Sequence, residues 1–340
     1  MKKLRVLALM HDYMVPPEDV SGHDLATVEW KMEFDVASTL RDMGHNLRIL
    51  GVKDDLREIR QTIDEFKPHI AFNLMEAFHE VGAFGMNVVS YLELLHLPYT
   101  GCNPRGMLLS RDKALAKKLL AYHRIPVPEF TVIRRGRAIK LPRHLGFPVI
   151  VKSLTQDASI GIAQASVVDD NIKLRERVQF IHDSIETDAI LERFIEGREL
   201  YIGILGNDRL QVFPIWEMQF SKMPEGVHRI ATDRVKWSVK YQVKHGIKTR
   251  QAKSLPNGLA ATLQRVAKQA YRTLEMSGYA RMDLRLDPDG TFYVLEANAN
   301  PQLAFGEDFA ESAQCMGLSY EDLLQRILNV GLRWQPERGG

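Results

Sequence analysis

The chain has 340 residues, of which 45% are hydrophobic, and its 45 Lys and Arg residues against 43 Asp and Glu residues give a formal net charge of +2. This length suits roughly two or three packed domains, and the composition is typical of a globular protein. The basic residues are scattered except in residues 134–140, which we interpret as a solvated loop. A nucleic-acid-binding surface needs a concentrated basic stripe, so no nucleic-acid partner is expected.

Cysteine content and hydropathy bear on location. Cys102 and Cys315 are the only cysteines and lie far apart in the sequence, which excludes a disulfide framework and favours a reducing compartment. No stretch approaches the roughly 20 apolar residues needed to span a bilayer. The short apolar run in residues 5–10 is interpreted as a first strand rather than a signal peptide. We therefore expect a cytoplasmic protein without membrane contact.

Strand-like and helix-like patterns alternate over the first hundred residues. Short apolar runs at 5–10, 46–52 and 69–74 are typical of strands. Between the first two runs, apolar residues recur at helical spacing and stop at a glycine: Val28, Met32, Val36, Leu40 and Gly44. This alternation predicts a parallel sheet covered by helices.

The pattern changes after residue 100. An amphipathic helix is followed by strand-rich segments with Gly- and Asp-bearing turns, among them 146–154 and 188–200. A long helix is predicted over 257–276, where apolar residues recur on one face. This mixture predicts an α+β arrangement, and we place the domain boundaries near residues 100 and 193.

A predicted hairpin near the end of the chain carries three oxygen-bearing side chains. Its strands flank Asp-Pro-Asp-Gly, a turn sequence in which Pro presets φ and Gly tolerates positive φ. Side chains alternate across a strand. If the turn has an even number of residues, Asp283 lies diagonally across from Glu296. It then shares one face with four residues of the second strand: Phe292, Val294, Glu296 and Asn298.

Two interpretations of this face remain open from the hairpin alone. Asp283, Glu296 and Asn298 offer hard oxygen ligands that suit Mg²⁺, and Arg281 beside them can bind anionic oxygens. Alternatively, the two carboxylates form ion pairs with Arg281 and Arg285 on a wet sheet face.

The hairpin resembles the metal-binding segment of the ATP-grasp superfamily and is most similar to that of the D-alanine–D-alanine ligase family. The family has an Arg-x-Asp strand followed by Glu-x-Asn-x-x-Pro, and the matching residues are Arg281, Asp283, Glu296, Asn298 and Pro301. The resemblance implies two Mg²⁺ ions, replaceable by Mn²⁺, on Asp283, Glu296 and Asn298, with Glu296 bridging. It also implies that Arg281 faces the phosphoryl group and the developing tetrahedral centre.

Other segments extend the resemblance from about residue 91 to the end of the chain. They imply that Lys113 and Lys152 contact the phosphates of ATP. The segment 158–161, with Ser159, resembles a mobile loop that folds over the phosphates. In the segment 235–242, Lys240 and Tyr241 match the family's closing loop. The implied catalytic residues are therefore Arg281, Tyr241, Lys240 and Ser159, and Lys240 also belongs to the implied ATP site.

The segment "LERFIEGREL" resembles the hinge that binds adenosine in the family. The resemblance implies that Glu192 accepts a hydrogen bond from the adenine amine and that Glu199 holds the ribose. Phe194 and Ile195 would line the adenine ring, and Arg193 belongs to the same nucleotide-binding segment.

The resemblance implies an ATP-grasp fold of class α/β and α+β in three domains. An N-terminal Rossmann-like parallel-sheet domain is expected over 1–100, and a central α+β lid over 101–193. A C-terminal antiparallel-sheet domain with the metal and catalytic site is expected over 194–340. The implied activity is ATP-dependent ligation of a small carboxylate to a small amine through an acyl phosphate, with release of ADP and phosphate. A homodimer is the family expectation.

The N-terminal substrate-binding positions depart from the family pattern. A glutamate that binds the ammonium group of the first substrate has no clear match. The acidic residues near its place are Glu18, Asp19, Asp24 and Glu29. The position of a loop serine is occupied by Ala158, with Ser159 next to it.

The acceptor side departs as well, because Gln302 and Glu307 replace a glycine and a serine of the family and Asp308 follows. Two carboxylates would repel an acceptor carboxylate, so we expect a cationic or neutral group where D-alanine has its carboxylate. Alternatively, this run is the acidic first turn of a helix facing solvent. Glu76 and His79 follow the third strand, at the edge where open α/β sheets bind ligands. They either contact the first substrate or belong to a surface loop.

Three other functions remain open within this resemblance. The alternatives to the ligase activity above are a D-alanine–D-alanine ligase of cell-wall precursor synthesis, a non-catalytic ATP-binding paralogue and a carboxylate kinase without an amine acceptor. The complete set of metal-site residues disfavours a paralogue that has lost catalysis.

Overall fold

The computed structural model describes residues 3–157 and 159–336, so Ala158 lies outside the described residues. Its strands are β1 (Arg5–His11), β2 (Asn46–Val52), β3 (Ile70–Asn73), β4 (Phe130–Ile133), β5 (Val149–Ser153), β6 (Val167–Val168), β7 (Ala189–Arg193), β8 (Arg198–Leu205), β9 (Gln211–Val212), β10 (Trp216–Phe220), β11 (Ile247–Gln251), β12 (Tyr279–Leu286) and β13 (Phe292–Ala299). Its helices are α1 (Lys31–Asp42), α2 (Leu56–Phe66), α3 (Gly85–Leu94), α4 (Pro104–Arg111), α5 (Lys113–Tyr122), α6 (Asn171–Phe180), α7 (Asp233–Trp237), α8 (Val239–His245), α9 (Leu259–Thr273), α10 (Asp308–Gln314) and α11 (Tyr320–Arg333).

The N-terminal sheet is parallel, with β1 between β2 and β3. Val6, Ala8 and Met10 pack with α1 on one face, and Leu7 and Leu9 pack with α2 and α3 on the other. Because both faces are covered, the β1 sequence is continuously apolar. Helices α10 and α11 pack on the α1 side, so this sheet takes part of its cover from the end of the chain.

The remaining two sheets are antiparallel. The central sheet has the order β4-β7-β5-β6 and packs against α6. The C-terminal sheet has the order β11-β10-β8-β12-β13, with β9 paired to β8, and α9 covers one of its faces. The predicted combination of α/β and α+β classes is confirmed. No helix among the described residues combines the length and apolarity needed to cross a membrane.

Helices α4 and α5 pack with the C-terminal sheet rather than with the central one. Ala116 and Leu120 of α5 share a core with Ile202 and Met282, and α4 contacts β13. The sequence assigned this segment to a lid over 101–193. The domain boundaries stay a prediction, and this packing favours a lid that begins near β4.

A β-bulge in the hairpin changes the faces expected from simple alternation. Asp283 lies directly opposite Glu296, rather than diagonally, and the register then shifts so that Leu295 has no partner on β12. One inserted residue reverses the alternation beyond it. Phe292 and Val294 therefore belong to the apolar core that α9 covers. The prediction that they share the Asp283 face is wrong.

Candidate active site

The bulged hairpin brings the expected metal ligands together. Asp283 is buried, and the Arg281 guanidinium donates to both of its oxygens, Nε to Oδ1 at 2.7 Å and Nη2 to Oδ2 at 2.9 Å. In the strand pairing, Glu296 lies opposite Asp283 and Asn298 lies opposite Arg281. Asn298 Nδ2 is buried and has no hydrogen-bond partner among the described residues. No described residue therefore holds the Nδ2 end of the Asn298 amide by a hydrogen bond.

The two carboxylates have different electrostatic surroundings. Burial raises the pKa of Asp283 in spite of Arg281, and Glu296 opposite adds to the rise. Burial acts in the same direction on Glu296, but Lys113 and Lys236 help to hold its pKa below the ordinary value. Lys113 Nζ lies 4.0 Å from Glu296 Oε2. Adjacent carboxylates with several cations around them suit a metal ion bound together with an anionic ligand.

These side chains fit Mg²⁺ as the resemblance implies. Nowhere in residues 3–157 and 159–336 are three His, Cys, Asp or Glu side chains grouped to hold a metal ion. A metal ion here would therefore also need the oxygen of the Asn298 amide and oxygens from a bound phosphate. The wet-face interpretation fails, because Asp283 is buried and Arg285 pairs instead with Glu199, Nη1 to Oε2 at 2.8 Å. Its one correct element is the ion pair between Arg281 and Asp283.

Both expected phosphate-binding lysines are buried. Lys113 begins α5, and its Nζ donates to Gln156 O at 2.6 Å and to Asp157 Oδ1 at 2.9 Å. Lys152 lies on β5, with its Nζ 3.1 Å from Glu192 Oε2. These cations supply positive charge in a site that excludes much of the water, where such charge acts most strongly on phosphate.

Sequence reasoning missed a third buried lysine, Lys117. Its Nζ donates to Leu295 O at 2.6 Å and lies 3.4 Å from Glu192 Oε1. Burial lowers the pKa of Lys117 to about 8, although Glu192 acts against this change. The available signal was its spacing of four residues from Lys113, which puts the two lysines on one helix face.

The two glutamates expected to bind adenosine differ in whether their carboxylate oxygens already accept hydrogen bonds. Burial acts to raise the pKa of Glu192, but Lys117 and Lys152 bring it below the ordinary value. Glu192 Oε1 still has no hydrogen-bond partner among the described residues, so it can accept from a bound amine. Glu199 already accepts from Arg285 Nη1 at 2.8 Å and from the Tyr201 hydroxyl at 2.9 Å.

An apolar cluster lies beside these residues. The Phe194 ring stands edge-on to His228, with 4.9 Å between ring centroids. Ile195 is buried, and the Arg193 guanidinium lies 5.1 Å from the centroid of the Tyr293 ring. The other apolar residues around Phe194 come from the central sheet and nearby loops: Ile150, Ile162, Val167 and Ile230.

Two loops close against each other next to Phe194. Ser159 Oγ donates to Ala231 O at 2.7 Å. The Gln164 side-chain amide donates to His228 O and accepts from His228 N, each at 2.9 Å. The expected loop residue Ser159 therefore holds the two loops together.

The segment that resembles the closing loop carries two lysines on separate short helices, Lys236 on α7 and Lys240 on α8. Ser238 ends α7 and caps α8, its Oγ accepting from Tyr241 N at 3.3 Å. Lys240 is exposed on α8, whereas Lys236 on α7 acts electrostatically on both carboxylates. Tyr241 packs beside the core of the same loop, with its ring 4.3 Å from that of His245.

Carboxylates gather at the carboxyl edge of the N-terminal sheet. Glu33, in the first turn of α1, is 4% exposed, and burial, with Glu76 adding to it, raises its pKa to about 7. Apart from its own backbone amide, no described residue donates to its carboxylate. The Glu76 side chain is exposed, yet desolvation by neighbouring groups raises its pKa, and the negative charge of Asp157 adds to this rise.

Sequence reasoning missed Glu33. The four acidic residues considered for this place are all exposed: Glu18, Asp19, Asp24 and Glu29. Glu33 could have been found from its position beside the apolar stripe of α1. His79 lies in a surface loop, with its side chain 66% exposed and its Nδ1 3.8 Å from Asp54 Oδ2.

One residue of the acidic run at the start of α10 lies beside Arg281. Asp308 Oδ2 lies 3.9 Å from Arg281 Nη1, which contradicts the alternative of an acidic turn that simply faces solvent. Glu307 is exposed, yet neighbouring groups that partly desolvate it, with Asp308 adding to them, raise its pKa. Gln302 is half-buried on the segment that leads to α10.

Comparisons with known proteins agree with this arrangement. A family model described as the D-ala D-ala ligase C-terminus matches residues 119–329. A D-alanine–D-alanine ligase of Desulforudis audaxviator is 30% identical and covers 87% of this chain and 90% of its own. An uncharacterized protein y4sG of Sinorhizobium fredii is 31% identical over 88% of this chain and 86% of its own. The D-alanine–D-alanine ligase of Bacillus anthracis complexed with ATP has a TM-score of 0.73 at 21% identity, covering 97% of this chain and 98% of its own.

The matching family model and these relatives therefore define an ATP-grasp enzyme, a ligase that forms carbon–nitrogen bonds. This confirms the predicted fold. The chain belongs to the D-alanine–D-alanine ligase family.

Proposed function

We propose that this enzyme joins a small carboxylate to a small amine through an acyl phosphate and releases ADP and phosphate. The supporting observation is the Asp283–Glu296 pair among the cations Lys113, Lys236 and Arg281. Transfer of a phosphoryl group to a carboxylate brings two anions together, and positioned cations lower that barrier. Bound Mg²⁺, for which Mn²⁺ can substitute, neutralises phosphate charge.

In this proposal the side chains divide the work between binding and chemistry. Asp283, Glu296 and Asn298 hold two metal ions, and Lys113 and Lys152 hold the phosphates. Arg281 stabilises charge on the transferred group and on the tetrahedral centre that the amine forms.

The nucleotide and the closing loops complete the site. Glu192 Oε1 accepts from the adenine amine and Glu199 contacts the ribose, beside Phe194. The closed loops, held at Ser159 and Gln164, exclude water that would hydrolyse the acyl phosphate. Lys236 takes the place beside the phosphates that the sequence gave to Lys240.

We further propose that the acceptor carries a cationic or neutral group where D-alanine has a carboxylate. Asp308 already compensates Arg281, and Glu307 lies next to it, so an acceptor carboxylate would meet uncompensated negative charge. On the other side, Glu33 and Glu76 suit an ammonium group of the carboxylate substrate. D-Alanine as acceptor is the alternative, supported by the names of the relatives.

The test is ADP release from Mg-ATP with a panel of acid–amine pairs, using acids labelled with ¹⁸O in the carboxylate. We expect release that needs both substrates and one labelled oxygen transferred to phosphate. Background release with every pair, despite tight Mg-ATP binding, would favour a nucleotide-binding protein, and release without any amine would favour a carboxylate kinase. Robust turnover with D-alanine alone would contradict the acceptor proposal.

Two further features belong to the proposal. The free thiols Cys102 and Cys315 support a cytoplasmic location. The homodimer rests on the family resemblance, and sedimentation of the purified protein measures it.

A further inference from the structure

Lys117 connects two sheets inside the site. Its Nζ reaches Leu295 O on β13 of the C-terminal sheet and lies 3.4 Å from Glu192 Oε1 on β7 of the central sheet. The Lys117 residue is only 1% exposed, so water competes little for these contacts. One buried ammonium thus ties the metal-binding strand to the nucleotide-binding segment.

The contact with Leu295 falls at the bulge. Leu295 is half-buried and has no partner residue on β12, and a carbonyl outside the regular strand pairing needs another donor where water is restricted. Lys117 supplies that donor directly before Glu296. Without the extra residue, the period of two would turn residue 296 to the opposite face of the sheet. The bulge is therefore the local feature that puts the Glu296 carboxylate opposite Asp283.

We propose that Lys117 is a positioning residue, which fixes the bulge that directs Glu296 toward Asp283 and couples this strand to the nucleotide through Glu192. The inference rests on the proposed function for the roles of Glu296 and Glu192 and deepens it. Without the ammonium, the Leu295 carbonyl loses its donor and the buried Glu192 carboxylate loses a neighbouring positive charge. Relaxation of the bulge then moves Glu296 away from Asp283.

The experiment compares Lys117→Met with Lys118→Met, because Lys118 is the adjacent residue and is exposed. Mn²⁺ binding in the presence of ADP is titrated by electron paramagnetic resonance, which does not depend on turnover. We expect Lys117→Met to weaken Mn²⁺ binding at least about tenfold, and to raise the Mg²⁺ concentration for half-maximal ADP release by a similar factor. Lys118→Met should keep wild-type values, and Lys117→Arg should recover part of the affinity.

A second variant keeps the test decisive if Lys117→Met does not fold, as judged by circular dichroism and thermal unfolding. In Lys117→Gln the amide can donate to Leu295 O but carries no charge for Glu192. We expect it to bind Mn²⁺ nearly normally while ADP strengthens that binding less than in the wild type.

The proposal would be overturned if Lys117→Met bound Mn²⁺ as tightly as Lys118→Met and if ADP strengthened that binding equally in both variants. If only Lys117→Gln folds, the same comparison is made with that variant. A wild-type protein that binds Mn²⁺ with ADP but ligates no acid–amine pair would contradict the proposed function instead. In that case the comparison of the lysine variants still decides the role of Lys117.

Discussion

The nucleotide side and the substrate side of the cleft differ in how their buried charges are matched. On the nucleotide side, opposite charges meet in three contacts: Lys117–Glu192, Lys152–Glu192 and Arg285–Glu199. On the substrate side, Glu33 has no cationic partner among the described residues, and the pKa values of Glu76 and Glu307 are raised. A buried carboxylate without a partner is costly until a ligand supplies the opposite charge. We therefore expect substrate choice to depend on these carboxylates.

The largest expected effect lies on the nucleotide side. Glu296→Gln replaces a charged metal ligand by a neutral amide, and we expect ADP release to fall by about a thousandfold or more. Asp289→Asn, in the exposed turn of the same hairpin, is the control and should keep full activity. A Glu296→Gln enzyme within tenfold of the wild type would remove the metal site from the proposal.

Glu33 should make stability depend on pH in the absence of substrates. Its pKa is raised to about 7 in the folded protein, so the stability it contributes is present below its unfolded pKa and is lost as pH rises through 7. The loss is on the order of 3 kcal/mol. Urea unfolding at pH 4.5 and pH 8 should therefore show that the free energy of unfolding of Glu33→Gln, relative to that of the wild type, is higher at pH 8 than at pH 4.5. Glu29→Gln, at an exposed position, should follow the wild type, and equal pH dependence in all three proteins would contradict a buried, unpartnered Glu33.

Glu307 should set the preference among acceptors. Replacing both Glu307 and Asp308 by Ser removes the negative charge that the start of α10 adds near Arg281 and leaves the Arg281–Asp283 ion pair in place. We expect the ratio of kcat/KM for D-alanine to that for a cationic amine to rise about tenfold or more. Glu321→Ser, exposed on α11, is the control. An unchanged ratio would move acceptor recognition to another part of the cleft.

The smallest effect is expected at the closed loops. Gln164→Ala removes both hydrogen bonds to His228, each contributing about 1 kcal/mol. We expect phosphate release without amine to rise roughly threefold to tenfold relative to ligation, because water reaches the acyl phosphate more often. Gln179→Ala, exposed on α6, is the control and should leave this ratio unchanged. An unchanged ratio in Gln164→Ala would show that the loops play no part in excluding water.

Local patterns predicted the parallel sheet, the α+β part that follows it and the hairpin, whereas the family resemblance supplied the three-domain fold and the roles of Arg281, Asp283, Glu296 and Asn298. The bulge at Leu295 was not predicted, because the alternation was assumed to run uninterrupted along the second strand. Glu33 on the substrate side and Lys117 on the nucleotide side were missed for a different reason.

Their significance comes from burial against distant parts of the chain. Glu33 meets Glu76, and Lys117 meets Leu295 and Glu192, contacts that no spacing rule supplies. Lys240 was selected because the Lys-Tyr pair matched the family in sequence, and Lys236 was not considered. The break between α7 and α8 at Ser238 places these two lysines on different helices.

The return of α10 and α11 to the N-terminal sheet has a consequence for synthesis on the ribosome. Val6, Ala8 and Met10 share their core with residues from Leu303 to Leu328, so one side of the first sheet is incompletely covered until nearly the whole polypeptide has emerged. An isolated fragment of the first hundred residues should consequently expose this apolar surface and self-associate. Full burial of this face is therefore expected only after residues 303–328 have been synthesised.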